Sequence, residues 1–278
     1  MKLEKIWAVY FSGTGTTRRT VERIAGGIAS RLNLPAESVD FSHPAVRQET
    51  LGFGEKDLVV FGTPVYAGRV PNVLLPFLRE RIVGGGALAV PVVLFGNRNY
   101  DDALIELRNI LAADGMHPIA AGAFVGEHSF SRVLGADRPN AEDEALMDEF
   151  AARVAALAAG LDAAPVKSVA VRGQEPLRPY YTPRDRAGNP INILKVKPKT
   201  DLSRCGGCGL CADLCPMGSI DPADVSAVRG ICIKCCACVK GCPTGAKFFD
   251  DAGYLYHQHE LEAQYARPAE NEVFYIQL

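Results

Sequence analysis

Apolar residues follow two different spacings along the first 160 positions, and each spacing predicts a different element. Uninterrupted apolar runs are typical of strands buried on both faces, whereas apolar residues at three- and four-residue intervals are typical of helices. The runs predict strands at residues 6–11, 58–61, 88–95 and 119–125. The intervals predict helices at residues 16–32, 71–78, 101–113 and 142–159. This alternation predicts an α/β fold in which helices cover both faces of a parallel sheet.

The loop after the first predicted strand alternates hydroxyl-bearing residues with glycines. Backbone N–H groups at the start of the following helix could hold a phosphate there, and a ligand-free capping loop is the alternative. The loop is not a Walker loop, because no G-K-[ST] follows, and Arg18 replaces the third glycine of a dinucleotide fingerprint. Its form suits the phosphate of flavin mononucleotide (FMN). The candidate residues are Ser12, Gly13, Thr14, Gly15, Thr16 and Thr17.

Two further loops follow the next two predicted strands, and each contains one tyrosine. A tyrosine there could flank a flat isoalloxazine ring, although a tyrosine packed on the protein surface is the alternative. Ligands of parallel sheets bind at the carboxyl ends of strands, and all three loops lie at that edge. The candidates are Thr63, Pro64, Val65, Tyr66, Ala67 and Gly68 in the second loop, and Gly96, Asn97, Arg98 and Tyr100 in the third.

Cysteine placement divides the chain into two parts. All 9 cysteines lie between Cys205 and Cys242. Such clustering favours metal ligation in a reducing compartment over a disulfide framework. The net charge of −2 gives no indication of nucleic acid or of an anionic membrane as a partner, and no apolar stretch approaches the roughly twenty residues of a membrane helix. We therefore expect a cytoplasmic protein.

Residues 205–216 and 232–243 are two copies of the motif C-x2-C-x2-C-x3-C-P. In bacterial ferredoxins, three cysteines of such a run ligate one [4Fe–4S] cluster and the fourth ligates the other. A zinc ribbon is the alternative, but it uses cysteine pairs rather than triplets. Cys236 is left over and is expected to be a small buried thiol. On the ferredoxin rule, one cluster takes Cys205, Cys208, Cys211 and Cys242, and the other takes Cys232, Cys235, Cys238 and Cys215.

Both parts resemble known families. The cysteine repeat resembles bacterial two-cluster ferredoxins, and the three loops resemble the FMN-binding loops of flavodoxins. The amino-acid sequence from Gly62 to Arg69 and from Gly96 to Leu104 is similar to that of flavodoxin–ferredoxin fusion proteins. The resemblance implies a doubly wound, five-stranded parallel sheet followed by a small α+β ferredoxin-like domain, with FMN and two clusters. Residues 126–140 depart from a minimal flavodoxin, and either close over the flavin or pack on the ferredoxin part.

We expect four segments: an FMN-binding domain at residues 1–165, a proline-rich linker arm at 166–199, a two-cluster domain at 200–250 and a tail at 251–278 that packs on the scaffold. This organisation predicts electron transfer between FMN, the clusters and a soluble redox partner protein.

Two alternatives stay open. One is a flavin-dependent reductase of a quinone, a disulfide or an activated alkene, with Arg98, Tyr100 or His128 as proton-donor candidates. The other is a ferredoxin with a flavin-free docking domain. The sequence fixes neither the direction of electron flow nor the oligomeric state, and it is compatible with a homo-oligomer.

Overall fold

The computed structural model describes residues 2–277. Its strands are β1 Lys5–Tyr10, β2 Ala36–Asp40, β3 Leu51–Gly52, β4 Asp57–Pro64, β5 Ile82–Val83, β6 Leu88–Phe95, β7 His117–Pro118, β8 Ala120–Val125, β9 Lys199–Thr200, β10 Lys247–Phe248 and β11 Glu272–Tyr275. Its α-helices are α1 Thr16–Leu32, α2 Leu75–Glu80, α3 Ala103–Ala113, α4 Ala141–Ala159, α5 Leu210–Asp213, α6 Ala237–Lys240 and α7 Ala252–Gln264. Short 3₁₀ turns lie at Val46–Gln48 and Asn72–Leu74.

The central sheet has the strand order β11-β8-β6-β4-β1-β2, with β7 paired to β6. Strands β2, β1, β4, β6 and β8 are parallel, as the sequence predicts. Strand β11 joins the edge of β8 in the antiparallel direction. The direction of winding reverses between β1 and β4, and such a reversal opens a crevice at the carboxyl ends of the two strands.

Two apolar clusters pack on the two faces of this sheet. Helices α1 and α4 cover one face, where Ile24, Ile28 and Phe150 are fully buried. Helices α2 and α3 cover the other, where Leu104 and Leu107 pack with the inner residues of β4 and β6. Every residue of β6 is buried, which explains its continuous apolar sequence. The flavodoxin-like part is therefore a doubly wound sheet with a core on each face.

Three strands of the sheet do not appear in the sequence pattern. Strand β2 reads AESVD and lies at an exposed edge, so its sequence lacks an apolar run. Strand β7 has only two residues, too few for a spacing. Strand β11 lies in the tail, more than 140 residues after the strand it pairs with, and no local spacing indicates that partner.

The linker arm, residues 166–199, is bonded to the sheet at several points. The Asp102 carboxylate, fully buried, accepts hydrogen bonds from the backbone and guanidinium of Arg178. The Tyr180 hydroxyl donates to the Val70 carbonyl at 2.8 Å. The Tyr181 N–H donates to Ala67 O at 2.9 Å, in the second loop. Among residues 2–277, no helix is both long and apolar enough to cross a bilayer.

Candidate functional site

The first loop, residues 12–17, leads into the first turn of α1. Gly15 adopts a left-handed conformation (φ 87°), no side chain of the described residues caps the helix from that position, and the first turn has no acidic residue. The Ser12 hydroxyl accepts from the Arg18 N–H at 3.2 Å. Helix α1 lies tightly on β4, since a Cβ on Gly62 would lie 2.2 Å from Val21 Cγ2. This geometry presents a helix N-terminus, which favours an anion, to the cleft in front of it.

A polar cleft of about 570 Å³ lies in front of this loop. Its wall combines the hydroxyls and glycines of the first loop with basic side chains from α1 and three other segments, and Asp40 and Glu127 are its carboxylates. The excess of basic groups favours a phosphate. These basic side chains are Arg18, Arg19, His43, Arg132 and Lys240.

A second void, the aromatic cavity, has a volume of about 220 Å³ and lies beside the second and third loops. Its wall includes Tyr66, Gly96 and Arg98 of those loops. A smaller void of about 70 Å³, the passage, lies between the two: Thr14 borders the polar cleft and the passage, and Tyr66 borders the passage and the aromatic cavity. The predicted phosphate and ring sites therefore lie in adjoining voids.

The second loop turns back on itself beside this passage. Tyr66 and Arg69 exchange backbone hydrogen bonds of 3.0 and 3.2 Å, and Ala67 and Gly68 both have positive φ. Burial raises the pKa of Tyr66 well above its ordinary value, and the nearby Cys235 adds to the shift. Pro64 and Val65 also border the passage. Thr63 lies next to them, fully buried, and its hydroxyl has no hydrogen-bond partner within the described residues.

The structure places two residues of the third loop away from the expected ring site. Tyr100 is fully buried in the core, where its hydroxyl donates to Glu272 Oε2 at 2.7 Å and the Arg172 guanidinium covers its ring. The Asn97 side chain binds the tail, donating to Tyr265 O at 2.6 Å and accepting from the Ala269 N–H at 2.9 Å. Both side chains are occupied by contacts with the tail or the arm that no local pattern in the sequence indicates.

The rest of the aromatic cavity is lined by residues that the sequence did not indicate as flavin contacts. They come from the 126–140 loop, the linker arm, the second cysteine motif and α7, and examples are Phe130, Tyr181, Ile233 and His257. Tyr181 and His257 stack with ring centroids 6.0 Å apart. Only the folded chain brings these segments together, so the sequence could not indicate them.

His128 and His257 are both neutral at physiological pH. Burial lowers the pKa of each to about 4, and nearby cationic side chains add to the effect: Lys240 and Arg98 for His128, and Arg98 for His257. Both rings border the aromatic cavity. The 126–140 loop also contacts the ferredoxin part, because Lys240 pairs with Glu127 and donates to His128 O at 2.7 Å. The loop therefore packs on the ferredoxin part, as one of the two expectations has it.

Five cysteines from the two motifs border one cavity. Cys215 of the first motif lies there with the triplet of the second motif, and apolar side chains such as Ile220 form much of the wall. Cys236 also borders this cysteine cavity, and its sulfur lies 3.4 Å from the Tyr254 hydroxyl. Thiolates in an apolar setting are the ligand type that iron–sulfur clusters use. The triplet consists of Cys232, Cys235 and Cys238.

The fourth cysteine of each motif has the same backbone environment. The Ser219 N–H donates to Cys215 Sγ at 3.4 Å, and the Ala246 N–H donates to Cys242 Sγ at 3.2 Å. Burial acts to raise the pKa of Cys242, but the Thr244 hydroxyl and backbone N–H groups lower it to about 7. Hydrogen bonds to ligand sulfurs help to tune a cluster. Among residues 2–277, no three His, Cys, Asp or Glu side chains converge on one metal ion.

The duplication extends to the backbone conformation of the two motifs. Positions with positive φ recur in register, but the first copy uses glycine where the second has a larger side chain. Gly207 (φ 69°) corresponds to Lys234 (φ 57°), and Gly209 (φ 73°) corresponds to Cys236 (φ 58°). The two loops therefore have the same turn, although only one of them has the residue that adopts it easily.

Comparisons with known proteins agree with this division of the chain. A flavodoxin domain family matches residues 8–103, and a 4Fe-4S binding domain family matches residues 198–221. No curated protein sequence matches significantly. The chain is thus a fusion of a flavodoxin-type domain, which implies FMN, with a 4Fe–4S ferredoxin segment.

Solved structures similar to the N-terminal part include a flavodoxin from the domain Archaea, with 17% identity over 55% of this chain and 97% of that chain and a TM-score of 0.41. An NADH:FMN oxidoreductase in its apo form has 16% identity over 55% of this chain and 89% of that chain, with a TM-score of 0.39. Rubredoxin oxygen:oxidoreductase from the anaerobe Desulfovibrio gigas has 16% identity over 58% of this chain and 38% of that chain, with a TM-score of 0.36.

Proposed function

We propose that this protein transfers electrons between FMN, two [4Fe–4S] clusters and a soluble redox partner protein in the cytoplasm. FMN exchanges two electrons and can pass them singly, while each cluster carries one, so the combination converts two-electron into one-electron transfer. The observation that carries the proposal is that one residue, Cys235, borders both the passage, which lies between the proposed phosphate and ring sites, and the cysteine cavity.

The protein's own residues would hold the flavin in these adjoining voids. The N-terminus of α1 and the basic side chains of the polar cleft favour the phosphate. Tyr66, Gly96 and Arg98 border the cavity in which the ring would lie. Side chains from the arm and α7, such as Tyr181 and Leu261, line the same cavity.

Two clusters, with ligands exchanged between the motifs, are supported by the position of Cys215. It lies with the second triplet in the cysteine cavity, as the ferredoxin rule requires for the second cluster. The matching N–H contacts of Cys215 and Cys242 support the same exchange in the other direction. By this symmetry, Cys242 completes a site with the triplet Cys205, Cys208 and Cys211.

Electron transfer is favoured over reduction of a small molecule by the state of the two histidines at the cavity. A general acid works best with a pKa near the operating pH, and the pKa values of His128 and His257 are lowered to about 4. Arg98 pairs with Asp101 and contacts the ring of Tyr181, and Tyr100 is buried. The polar cleft with basic side chains in front of the first loop argues against a flavin-free docking domain.

The test is the cofactor content of protein purified without oxygen. We expect about one FMN and about eight iron atoms per chain, the flavin being identified by chromatography after release. Iron near four would reduce the proposal to one cluster. Iron without flavin, even after reconstitution with FMN, would overturn the redox role of the N-terminal domain. Rapid turnover of quinones by flavin-loaded protein, without any partner protein, would instead favour the reductase.

A further inference from the structure

Two cysteines at the same position of the repeat have opposite surroundings. Cys208 is the second cysteine of the first motif and is exposed, whereas Cys235 is the second cysteine of the second motif and is buried, with 8% of its surface exposed. The motif sequence cannot explain this difference, because both loops have the same spacing. The difference arises from what covers each loop, and Cys235 is covered by the N-terminal domain.

The covering residue is a glycine of the first loop. A Cβ on Gly13 would lie 3.0 Å from Cys235 Cβ, 3.6 Å from its sulfur and 3.6 Å from the Tyr66 hydroxyl. The first loop, the second loop and the second cysteine motif therefore meet at one point. Cys235 borders both the passage and the cysteine cavity there.

The second motif also contacts the 126–140 loop and the linker arm. Lys240 of α6 pairs with Glu127 and donates to His128 O, both in the 126–140 loop. Lys234 donates to Cys232 O at 2.8 Å and to Leu194 O at 3.1 Å. The contacts to the 126–140 loop and to Leu194 join the second motif to segments that line the aromatic cavity.

We propose that Cys235 is the connection between the two redox sites. This inference rests on the proposed function and gives the order in which electrons pass between the flavin, the two clusters and the partner protein. The site formed by the second triplet and Cys215 exchanges electrons directly with the flavin, and the site that contains the exposed Cys208 exchanges them with the partner protein. No bond forms or breaks at Cys235: the flavin loses one electron for each electron that the adjacent cluster gains, any proton it releases goes to solvent, and the reverse flow balances in the same way.

The repeat supplies a matched pair of variants, Cys208→Ser and Cys235→Ser. The readouts are iron content and the EPR signals of the reduced clusters, first in flavin-free protein and then after FMN is added. Each variant should lose or alter the signal of one cluster. FMN should change the cluster signal that survives in Cys208→Ser. In Cys235→Ser, FMN should leave the surviving signal unchanged.

The outcomes separate this inference from the proposed function. Failure of wild-type protein to bind FMN contradicts the proposed function itself. If FMN binds but changes the signal that survives in Cys235→Ser, or changes both signals equally, then Cys235 is not the connection.

Gly13→Ala provides a second test in case Cys235→Ser does not fold. Its added methyl group presses on Cys235, whereas the control, Gly206→Ala, adds a methyl group that, apart from its chain neighbours, has no described atom within 4 Å. Even without flavin, Gly13→Ala should alter the same cluster signal that FMN alters in the wild type. Gly206→Ala should leave that signal unchanged. An unaltered signal in iron-loaded Gly13→Ala overturns the proposal.

Discussion

Residues Lys234 and Cys236 occupy a backbone conformation that costs an ordinary side chain roughly 1–2 kcal/mol, and the first motif avoids this cost with Gly207 and Gly209. The side chains of Lys234 and Cys236 make contacts that a glycine could not make. Lys234 binds two carbonyl groups, one of them at Leu194 in the arm, and Cys236 contacts Tyr254 of α7. At these two positions the strain is therefore offset by side chains that bind the second motif to its surroundings.

Replacement of Cys236 tests whether its sulfur is a ligand. We expect Cys236→Ala to keep about eight iron atoms per chain, because the sulfur contacts Tyr254 and Lys234 O and lies outside the ferredoxin spacing. The control Cys238→Ala should lose about half of the iron. Iron analysis of both variants after purification without oxygen decides the point, and a matching loss in Cys236→Ala would make this cysteine a ligand.

At the scale of elements, the apolar pattern predicts those parts of the fold whose burial is local. Strand β6 and helix α1 have the predicted bounds, because their own residues form the core. The pattern cannot indicate β2, whose sequence is polar, or β11, whose partner is distant. The same limit applies to the site: Tyr66 borders the cavity as predicted, whereas Tyr100 is covered by Glu272 and by Arg172.

The third loop and the tail are joined by Asn97, and its removal should loosen the tail. In Asn97→Ala, carbonyl groups at Tyr265 and Arg267 and the N–H of Ala269 lose their hydrogen bonds to this side chain, at a cost of about 0.5–1.5 kcal/mol per bond. We expect faster proteolysis between α7 and β11, measured by limited digestion and mass spectrometry.

The control for this prediction is Asn99→Ala. Asn99 accepts only a local bond from the Asp101 N–H, at an exposed position, so its replacement should leave the tail as resistant as in the wild type. If Asn97→Ala weakens FMN binding while the tail stays resistant, Asn97 contacts the flavin, as its sequence position first suggested.

At the scale of the whole molecule, Arg47 joins the two parts of the chain. Its guanidinium donates to Phe41 O at 2.8 Å and Ser42 O at 2.6 Å, and on its other side to Pro216 O at 2.6 Å, beside Cys215. Burial lowers the pKa of this side chain. The planar fork of arginine reaches carbonyl groups on both sides at once, and the single ammonium of lysine does not.

We therefore expect Arg47→Lys to loosen the contact beside Cys215 and expose the second cluster to oxygen. The cluster absorbance should bleach several-fold faster in air than in the wild type, because a charged hydrogen bond is worth about 1.5–3 kcal/mol. Arg81→Lys is the control, since Arg81 donates to Gln48 O within the N-terminal part. Equal bleaching rates in the two variants would contradict a joining role for Arg47.

Strand β11 changes how the two parts of the chain are related. The chain leaves the sheet after α4, passes through both cysteine motifs and returns to the edge of the same sheet, next to β8. The cysteine-bearing segment is therefore an insertion whose two ends both belong to the N-terminal domain, rather than a separate domain on a flexible linker. A tethered module would exchange electrons at a rate set by its diffusion and by the length of its linker. Here the chain on both sides of the cysteine motifs is bound to one sheet, so the electron transfer that we propose would not depend on the diffusion of a tether.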